Sequence, residues 1–290
     1  MPFRAMTGRR TTLLVIAFLL CSPGVSHASE LFVSNEVDNT VTVLDGDSYR
    51  IIATIPTDQR PRGIVETLDH KAVLVCDGDS SNIDVIDTKT LKVIRRINTG
   101  PDPETLAMSI SGDKLYVSNE NNALVTVIDY ATGKWITQIQ VGIEPEGLAV
   151  TKDGRTVVVV SEETSMAHFI DTRTWQVVAN VLVDTRPRVA VYTPDQRYLW
   201  VSSEVGGTVS VIDPKSHQIA HVINFDIPGV DKQYILVGQR PWQLTFSPDR
   251  SKLYVANGLT NDVTIIDVAS LKALKSVPVG RLPWGIAVVP

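Results

Sequence analysis

The sequence predicts an all-β protein built from a repeated four-stranded unit, and three observations support this. Valine, isoleucine and threonine recur throughout the 290 residues, and these β-branched residues favour strands. The 18 glycines and 16 prolines are spread along the chain, as turn residues are, and do not concentrate in a linker. The third and strongest observation is an internal repeat with a period of 42 residues.

Three series of residues mark this repeat and agree in spacing. A strand-like segment such as Leu115–Asn119 recurs six times. An alternating strand ends in aspartate at Asp45, Asp87, Asp129, Asp171, Asp213 and Asp267. A proline precedes another strand at Pro61, Pro103, Pro145, Pro187, Pro241 and Pro283. Successive members are 42 residues apart, except where the fifth copy is twelve residues longer, so the sequence predicts six copies of one structural unit.

Each copy is predicted to contain four short strands, a to d. In the third copy they cover residues 105–110, 114–118, 125–129 and 135–141. The aspartate that ends strand c is followed three residues later by Ser or Thr in every copy, as in Asp129 and Thr132. A carboxylate there accepts hydrogen bonds from nearby backbone amides and fixes the c–d turn. We therefore interpret the repeated aspartates as structural rather than catalytic.

A period near 42 with four antiparallel strands per unit is typical of the blades of a β-propeller. The repeats begin with strands b to d at residues 31–55 and end with a lone strand a at Gly285–Val289. Together these segments would complete one blade from both ends of the chain. The sequence therefore predicts a single β-propeller domain over residues 29–290, with five continuous blades and one composite blade.

Residues 1–28 differ from the repeats and are interpreted as a signal peptide. Basic residues up to Arg9 and Arg10 precede an apolar run, Leu13–Leu20, and Ala28 closes a small-residue cleavage site. Eight apolar residues are too few to cross a hydrocarbon core roughly 30 Å thick, so no membrane span is expected after processing. The predicted location is the periplasm, reached by the general or by the twin-arginine export route.

Charge and residue content argue against several functions. Without the three arginines of the leader the formal charge falls from −5 to −8, which disfavours a nucleic-acid partner. Cys76 would then be the one remaining cysteine, and its place inside a strand indicates a core residue. The histidines are dispersed among the repeats, so no metal site is expected. The sequence contains no nucleophile elbow, phosphate loop or dinucleotide fingerprint, and no catalytic residue is predicted.

The predicted binding site is the mouth of the central channel, on the face that carries the d–a and b–c loops. The residues just after the register prolines should ring this mouth: Arg62, Glu104, Glu146, Arg188, Trp242 and Trp284. The residues just before them add Arg60, Asp102, Glu144, Arg186 and Arg240. A turn alone does not require charge and indole at one repeated position, so this variation indicates a ligand site. Solvated loop residues with two tryptophans packed over the channel are the alternative.

Two further features belong to the same face. Arg62 and Arg188 are candidates to hold a small anionic ligand, because a guanidinium group binds carboxylate and phosphate. The fifth copy is extended on this face, and its segment Asp226–Gln239 includes Tyr234 and Leu236 and is apolar enough to cover the channel or to dock on a partner. A loop extension without function is the alternative.

The strands Leu115–Asn119 and Leu253–Asn257, each followed by an alternating strand that ends in Asp, resemble the YVTN family of β-propeller repeats. That family is related to the propeller chain of quinoprotein amine dehydrogenases, and the resemblance covers residues 31–290. Within the family, the chain is most similar to β-propeller proteins associated with PQQ-dependent alcohol catabolism. The segments that carry this likeness are Ser34–Glu36, Gln59–Gly63, Ile227–Val230 and Leu282–Gly285.

The resemblance implies a non-catalytic accessory protein of the periplasm with no cofactor of its own, so that any association with PQQ is indirect. Its partner would be a quinoprotein dehydrogenase, a cytochrome or a transporter component. That subgroup has seven repeats where this sequence shows six, so seven blades are the alternative. The alternative function is an enzyme or enzyme subunit on a propeller scaffold, similar to a lactonase or to the amine dehydrogenase propeller chain.

Overall fold

A computed structural model describes residues 29–225 and 234–290, which form 24 β-strands in six antiparallel sheets of four strands each. This confirms the all-β propeller and its six blades, and seven blades are not observed in the described ranges. The predicted signal peptide, residues 1–28, lies outside the described residues. No helix among the described residues is long and apolar enough to cross a membrane.

The strands follow the chain order from β1 to β24, and each blade runs from strand a at the channel to strand d at the rim. Blade 1 contains β24 (Pro283–Val289), β1 (Glu30–Asn35), β2 (Thr40–Asp45) and β3 (Ile51–Pro56). Blade 2 contains β4 (Pro61–Glu66), β5 (Ala72–Asp77), β6 (Asn82–Asp87) and β7 (Lys92–Asn98). Blade 3 contains β8 (Pro103–Met108), β9 (Lys114–Asn119), β10 (Leu124–Asp129) and β11 (Trp135–Gln140).

The second half of the chain repeats this arrangement. Blade 4 contains β12 (Pro145–Val150), β13 (Thr156–Ser161), β14 (Met166–Asp171) and β15 (Gln176–Leu182). Blade 5 contains β16 (Pro187–Tyr192), β17 (Leu199–Ser203), β18 (Thr208–Asp213) and β19 (Gln218–Asn224). Blade 6 contains β20 (Pro241–Phe246), β21 (Lys252–Asn257), β22 (Asp262–Asp267) and β23 (Lys272–Pro278).

Ring closure occurs where the sequence predicts it. Strand β24 pairs antiparallel with β1, with Val289 opposite Glu30 and Ile286 opposite Val33. The junction is also tied to the next blade, because the hydroxyl of Ser34 donates to the carbonyl of Arg62 at 2.7 Å. Blade 1 is therefore completed by hydrogen bonds between the first and the last strand.

The hydrophobic core lies between the blades. Neighbouring blades cover both faces of strands b and c, so most of their residues are buried, including polar residues that alternate with apolar ones in strand c, such as Thr42 and Thr126. Phe32 and Val43 of blade 1, for example, pack with Val73 and Val75 of blade 2 in one buried cluster. Cys76 lies in the next cluster, where burial raises the pKa of its thiol, which confirms its assignment to the core. One sheet cannot bury its own faces, so the stacking of neighbours stabilises every blade.

The c–d turns confirm the structural role of the repeated aspartates. Asp45 Oδ1 accepts from the backbone amide of Ser48 at 2.7 Å and from its hydroxyl at 2.6 Å. The same pair of bonds links Asp87 to Thr90, Asp129 to Thr132 and Asp267 to Ser270. In blades 4 and 5, the aspartate accepts a hydrogen bond from the backbone amide two residues later, that of Arg173 or Lys215, at 2.8 Å.

Candidate functional site at the channel mouth

Each predicted mouth residue lies on a local irregularity of the innermost strand. In all six blades the register between strands a and b shifts directly after the first proline, as between Pro103 and Leu106 of blade 3. Strand a therefore begins at Pro103, two residues before the predicted Thr105, because a proline that starts a strand has no amide to pair. A bulge of this kind bends the strand and re-aims its side chains.

The loop before each proline is joined to the loop after strand b of the same blade. The residue before the proline has a positive φ in all six copies, from 49° at Asp102 to 63° at Arg186. Its carbonyl accepts a hydrogen bond from the first amide after strand b, as Asp102 does from Glu120 at 2.9 Å. Because Leu282 shares this conformation, the geometry belongs to the turn itself. Its effect is to bring the two loops of every blade together at the mouth.

This junction adds four glutamates that were not predicted as site residues. They occupy the position after strand b in four of the six copies: Glu36, Glu120, Glu162 and Glu204. Three of them recur in the sequence after a strand b that ends in Ser-Asn or Ser-Ser, whereas Glu162 follows Val160 and Ser161. The period alone does not show that these carboxyl groups reach the arginines of the mouth.

Arg62 connects blade 2 to both of its neighbours. Its Nη2 lies 3.1 Å from Glu36 Oε1 of blade 1. Its Nη1 donates to Glu104 and lies 3.6 Å from Glu120 Oε2, both of blade 3. Glu104 is fully buried, and the surrounding carboxyl groups raise the pKa of Arg62 above its usual value despite burial. The guanidinium group is thus already bound on three sides.

Arg60 is paired in the same way, two residues earlier. Its Nη1 lies 2.6 Å from Asp102 Oδ1 and 3.3 Å from Asp79 Oδ1. Its other nitrogens lie 3.6 Å from Glu36 and 3.7 Å from Glu120. The two arginines of blade 2 therefore share the carboxyl groups of blades 1 and 3.

Blade 5 carries a matching pair of arginines. Arg188 Nη1 lies 2.7 Å from Glu146 Oε1 and also contacts Glu162, both of blade 4. Its Nε lies 4.0 Å from Glu204. Arg186 contacts Glu162 and lies 3.9 Å from Glu204. Like Arg62, Arg188 spans a blade boundary and contacts three acids.

We call these residues the mouth network. It contains four arginines, Arg60, Arg62, Arg186 and Arg188. Among the described residues they contact eight carboxyl groups: Glu36, Asp79, Asp102, Glu104, Glu120, Glu146, Glu162 and Glu204. The network therefore has an excess of negative charge when its acids are ionised.

Part of this excess is removed by proton uptake at Glu104 and Glu146, which lie on adjacent inner strands. Burial raises the pKa of Glu104 to about 7, against the opposing effect of Arg62. Burial also raises the pKa of Glu146, and repulsion by Glu104 adds to this. Glu104 Oε1 is buried without a hydrogen-bond partner among the described residues. The pair can therefore hold or release a proton near neutral pH.

The opposite side of the mouth is aromatic. Trp284 of blade 1 is buried, with 8% of its surface exposed, and Trp242 of blade 6 is half-buried. Trp242 lies against Gly258, where a Cβ atom would stand 2.4 Å from the ring. The guanidinium carbon of Arg240 lies 5.8 Å from the centre of the Trp242 ring. Going round the channel, an arc of charge over blades 2 to 5 thus faces two indoles on blades 6 and 1.

A cavity of about 210 Å³ lies between these two sides. Four of the six predicted mouth residues line it, namely Glu146, Arg188, Trp242 and Trp284. Arg62 and Glu104 belong to the network without being part of this lining. The cavity is therefore lined by one carboxyl group, that of Glu146 with its paired Arg188, by two indoles and by apolar residues such as Leu148.

The extended loop of the fifth copy gives less support for a lid. Tyr234 and Leu236 are 85% and 90% exposed, so neither packs on the ring. Ile227 and Val230 lie outside the described residues. A docking role for this loop stays a prediction.

The structure also groups three acids that the sequence analysis did not connect with a metal. Oxygens of Asp102, Glu104 and Glu120 lie within 4.8 Å of one another. Arg60 and Arg62 contact all three, and so supply the positive charge there. We therefore treat this group as part of the mouth network, and the absence of a metal site stays a prediction.

A second pair of buried acids lies in blade 2. The position of Asp77 is held in blades 1 and 6 by an asparagine that donates to a threonine seven residues later, as Asn35 does to Thr42 at 2.9 Å. In blade 2 these residues are Asp77 and Asp84, and both are buried. Both carboxyl oxygens of Asp77 have no hydrogen-bond partner among the described residues. Burial, with repulsion from Asp84, raises the pKa of Asp77 to about 9.

Comparison with known proteins supports the fold. A model of the YNCE-like β-propeller family matches residues 12–121, which is less than half of the chain. No curated protein matches the sequence. A putative 6-phosphogluconolactonase from Bacteroides fragilis NCTC 9343 superimposes with a TM-score of 0.75 at 15% identity, over 92% of this chain and 100% of that one.

Two other solved structures are similar. The periplasmic gluconolactonase PpgL of Pseudomonas aeruginosa has a TM-score of 0.72 at 15% identity, over 90% of this chain and 99% of that one. Hydrazine synthase of Kuenenia stuttgartiensis has a TM-score of 0.67 at 21% identity, over 90% of this chain and 86% of that one. At these identities the likeness shows the fold alone. The chain is a six-bladed β-propeller with similarity to the YNCE-like propellers over residues 12–121.

Proposed function

We propose that this chain is a non-catalytic binding protein of the periplasm, accessory to quinoprotein-dependent alcohol oxidation, with the channel mouth as its binding site. The observation that carries the binding function is the cavity between Glu146 with its paired Arg188 and the indoles of Trp242 and Trp284. All six blades place the residue after the first proline of strand a at this mouth. The turn has the same geometry in every blade, so it does not explain why this residue is charged in four blades and tryptophan in two. The accessory role rests on the resemblance of segments such as Gln59–Gly63 and Leu282–Gly285 to β-propeller proteins associated with PQQ-dependent alcohol catabolism.

The mouth suits binding because its side chains are held in place before a ligand arrives. Arg188 is fixed by carboxyl groups of two blades, and Trp242 rests on the backbone of Gly258. A preorganised site loses less conformational entropy when it binds. Small-molecule sites commonly combine an apolar wall with a few polar groups that orient the ligand.

The accessory role is tested by affinity capture from the periplasm of an alcohol-grown bacterium that makes quinoproteins. The immobilised bait is residues 29–290, and the matched bait carries Trp242→Ala and Trp284→Ala. We expect the first bait to retain a quinoprotein dehydrogenase, a cytochrome or a transporter component, identified by mass spectrometry. If it retains none of these, the accessory role is wrong.

A second candidate function is hydrolysis of a sugar lactone. The observation that favours it is the Glu104–Glu146 pair, since a carboxyl group with a pKa of about 7 suits general acid–base catalysis. Two structures with this fold are described as lactonases, which gives the substrates to be assayed. Lactone opening by the purified chain that disappears in Glu104→Gln would support an enzyme and contradict the non-catalytic proposal.

A further inference from the structure

We propose that the ligand of the channel mouth is a small organic cation, an alkyl- or methylated ammonium ion, bound between the carboxyl groups of the mouth network and the indoles of Trp242 and Trp284. This inference rests on the proposed function, because it names the ligand of that same site. It argues against the small anion that the two arginines had suggested.

The first argument is the charge of the network. Its eight carboxyl groups outnumber its four arginines, and Arg62 and Arg188 are each in contact with three acids. An incoming anion would compete with these carboxyl groups for the arginines, and a carboxyl group displaced from its arginine would be left buried and unpaired, which is costly. A cation reduces the repulsion among the acids instead. The network as a whole therefore favours positive charge.

The second argument comes from the aromatic wall. Cations bind over the face of an indole within about 6 Å of the ring centre. The Trp242 ring already attracts one, since the Arg240 guanidinium lies 5.8 Å from its centre. Trp284 lines the same cavity from the neighbouring blade. Two indoles and the Glu146 carboxyl group, which line one cavity, suit a cation that also has apolar surface.

The third argument is a buried carboxyl oxygen without a partner. Glu104 is fully buried, and although Arg62 binds its Oε2, its Oε1 has no hydrogen-bond partner among the described residues. Its neighbour Glu146 lines the cavity and shares Arg188 with Glu162. An ammonium group beside Glu146 adds positive charge next to the Glu104–Glu146 pair.

The size of the cavity limits the ligand. A volume of about 210 Å³ is below the roughly 300 Å³ at which pockets for drug-sized molecules begin. It corresponds to about seven water molecules. Choline and simple alkylammonium ions are of this size, whereas a fused-ring quinone cofactor is larger.

Binding of a permanent cation is expected to strengthen as the pH rises through about 7. Glu104 faces Arg62 of blade 2, Asp102 and Glu120 of its own blade and, further away, Arg188 and Glu146. Glu104 attracts the cation when it is ionised and does not when it is protonated. Protonation of Glu104 at low pH therefore weakens binding. For one such group the affinity rises up to about tenfold between pH 6 and pH 8.

The test is calorimetric titration of residues 29–290 with choline, with its neutral isostere 3,3-dimethyl-1-butanol and with the anion 3,3-dimethylbutyrate. We expect choline to bind, the neutral alcohol to bind at least about tenfold more weakly, and the anion not to bind. Because choline keeps its charge between pH 6 and pH 8, any pH dependence reports on the protein. Equal affinity for choline and the neutral alcohol would overturn the proposal.

Variants test whether the mouth binds a cation, independently of the proposed accessory role. Glu146→Gln is expected to weaken choline binding about tenfold or more, while Glu163→Gln removes the same charge from an exposed position of a neighbouring loop and leaves binding unchanged. Circular dichroism and thermal melting verify that both variants are folded. Binding of the anion but not of choline would refute the cation and leave the mouth as a ligand site. If none of the three compounds binds, the cation is wrong, and the capture experiment decides the accessory role separately.

Discussion

Trp242 occupies, against Gly258, the space that a side chain would fill at that position, because a Cβ atom there would stand 2.4 Å from the indole ring. The equivalent position holds glutamate in four other blades, as in Glu204 of blade 5. The placement of Trp242 in the aromatic wall therefore depends on a glycine that does not line the cavity. In blade 1 the equivalent positions hold Trp284 and Glu36 together, so this requirement for glycine belongs to the packing of Trp242 in blade 6.

Gly258→Glu is accordingly expected to displace Trp242 from the mouth. The exposed indole should emit at longer wavelength, and choline binding should weaken about tenfold, as expected when a desolvated cation–π contact worth roughly 1–2 kcal/mol is lost. Tryptophan fluorescence and calorimetry measure the two effects. Leu259→Glu places the same charge on the next, exposed residue and should change neither. Unchanged fluorescence in Gly258→Glu would contradict this packing.

Arg62→Met is expected to lower the free energy of unfolding by about 3–5 kcal/mol, because it leaves buried Glu104 without its partner. Urea unfolding measures the change. Adding Glu104→Gln should recover a large part of the loss, since the uncompensated charge is then gone. The exposed pair of Arg173 with Asp171 provides a control, and Arg173→Met should cost less than about 1 kcal/mol. Equal effects of the two arginine substitutions would show that the mouth network is not desolvated.

Asp77→Asn is expected to stabilise the protein, since it restores the asparagine found in other blades and removes a buried carboxyl group. The folded-state pKa of Asp77 is raised to about 9, so the folded chain binds its proton more tightly than the unfolded chain does. Wild-type stability therefore falls as the pH rises from about 4 to about 9. The gain from Asp77→Asn should be small near pH 4 and reach about 1–3 kcal/mol near pH 9.

Urea unfolding of both proteins at several pH values tests this. Asp79→Asn is the matched control, because Asp79 lies two residues further on, in the loop after β5, with 57% of its side chain exposed. It should change the free energy of unfolding by less than about 0.5 kcal/mol. A gain that stays constant with pH would show that Asp77 ionises normally.

Removal of strand β24 should prevent the ring from closing. A chain that ends at Leu282 lacks Trp284 and Ile286, which are buried, and exposes the hydrogen-bonding edge of β1. We expect it to aggregate or to melt without a cooperative transition. Deleting only the exposed Pro290 should leave the melting temperature unchanged. A soluble, cooperatively folded product of the longer truncation would refute the role of this strand in closure.

The sequence predicted much of this architecture because a period places equivalent residues at equivalent positions. The number of blades, the composite blade and the circle of mouth residues all follow from the spacing of residues such as Pro103 and Asp129. Strand a starts two residues earlier than predicted, since a proline can begin a strand without an amide donor.

The contacts between blades could not be predicted in the same way. Arg62 reaches Glu36 and Glu120 because its side chain is long and the inner strands of neighbouring blades lie close together. The repeat period does not show how near two blades come to each other. Burial of Asp77 likewise depends on the blades beside it, whereas the sequence shows an acid next to a turn. The recurring glutamate after strand b was the available signal, and it was interpreted as a mark of the repeat.

The pairing of Glu30 with Val289 has a consequence for how the chain acquires its structure. This contact joins nearly the whole length of the polypeptide, and contacts between such distant residues form slowly. During synthesis β1 leaves the ribosome long before its partner β24, so blade 1 stays incomplete until β24 has been made. Closure of the ring therefore follows the synthesis of all strands of the other five blades.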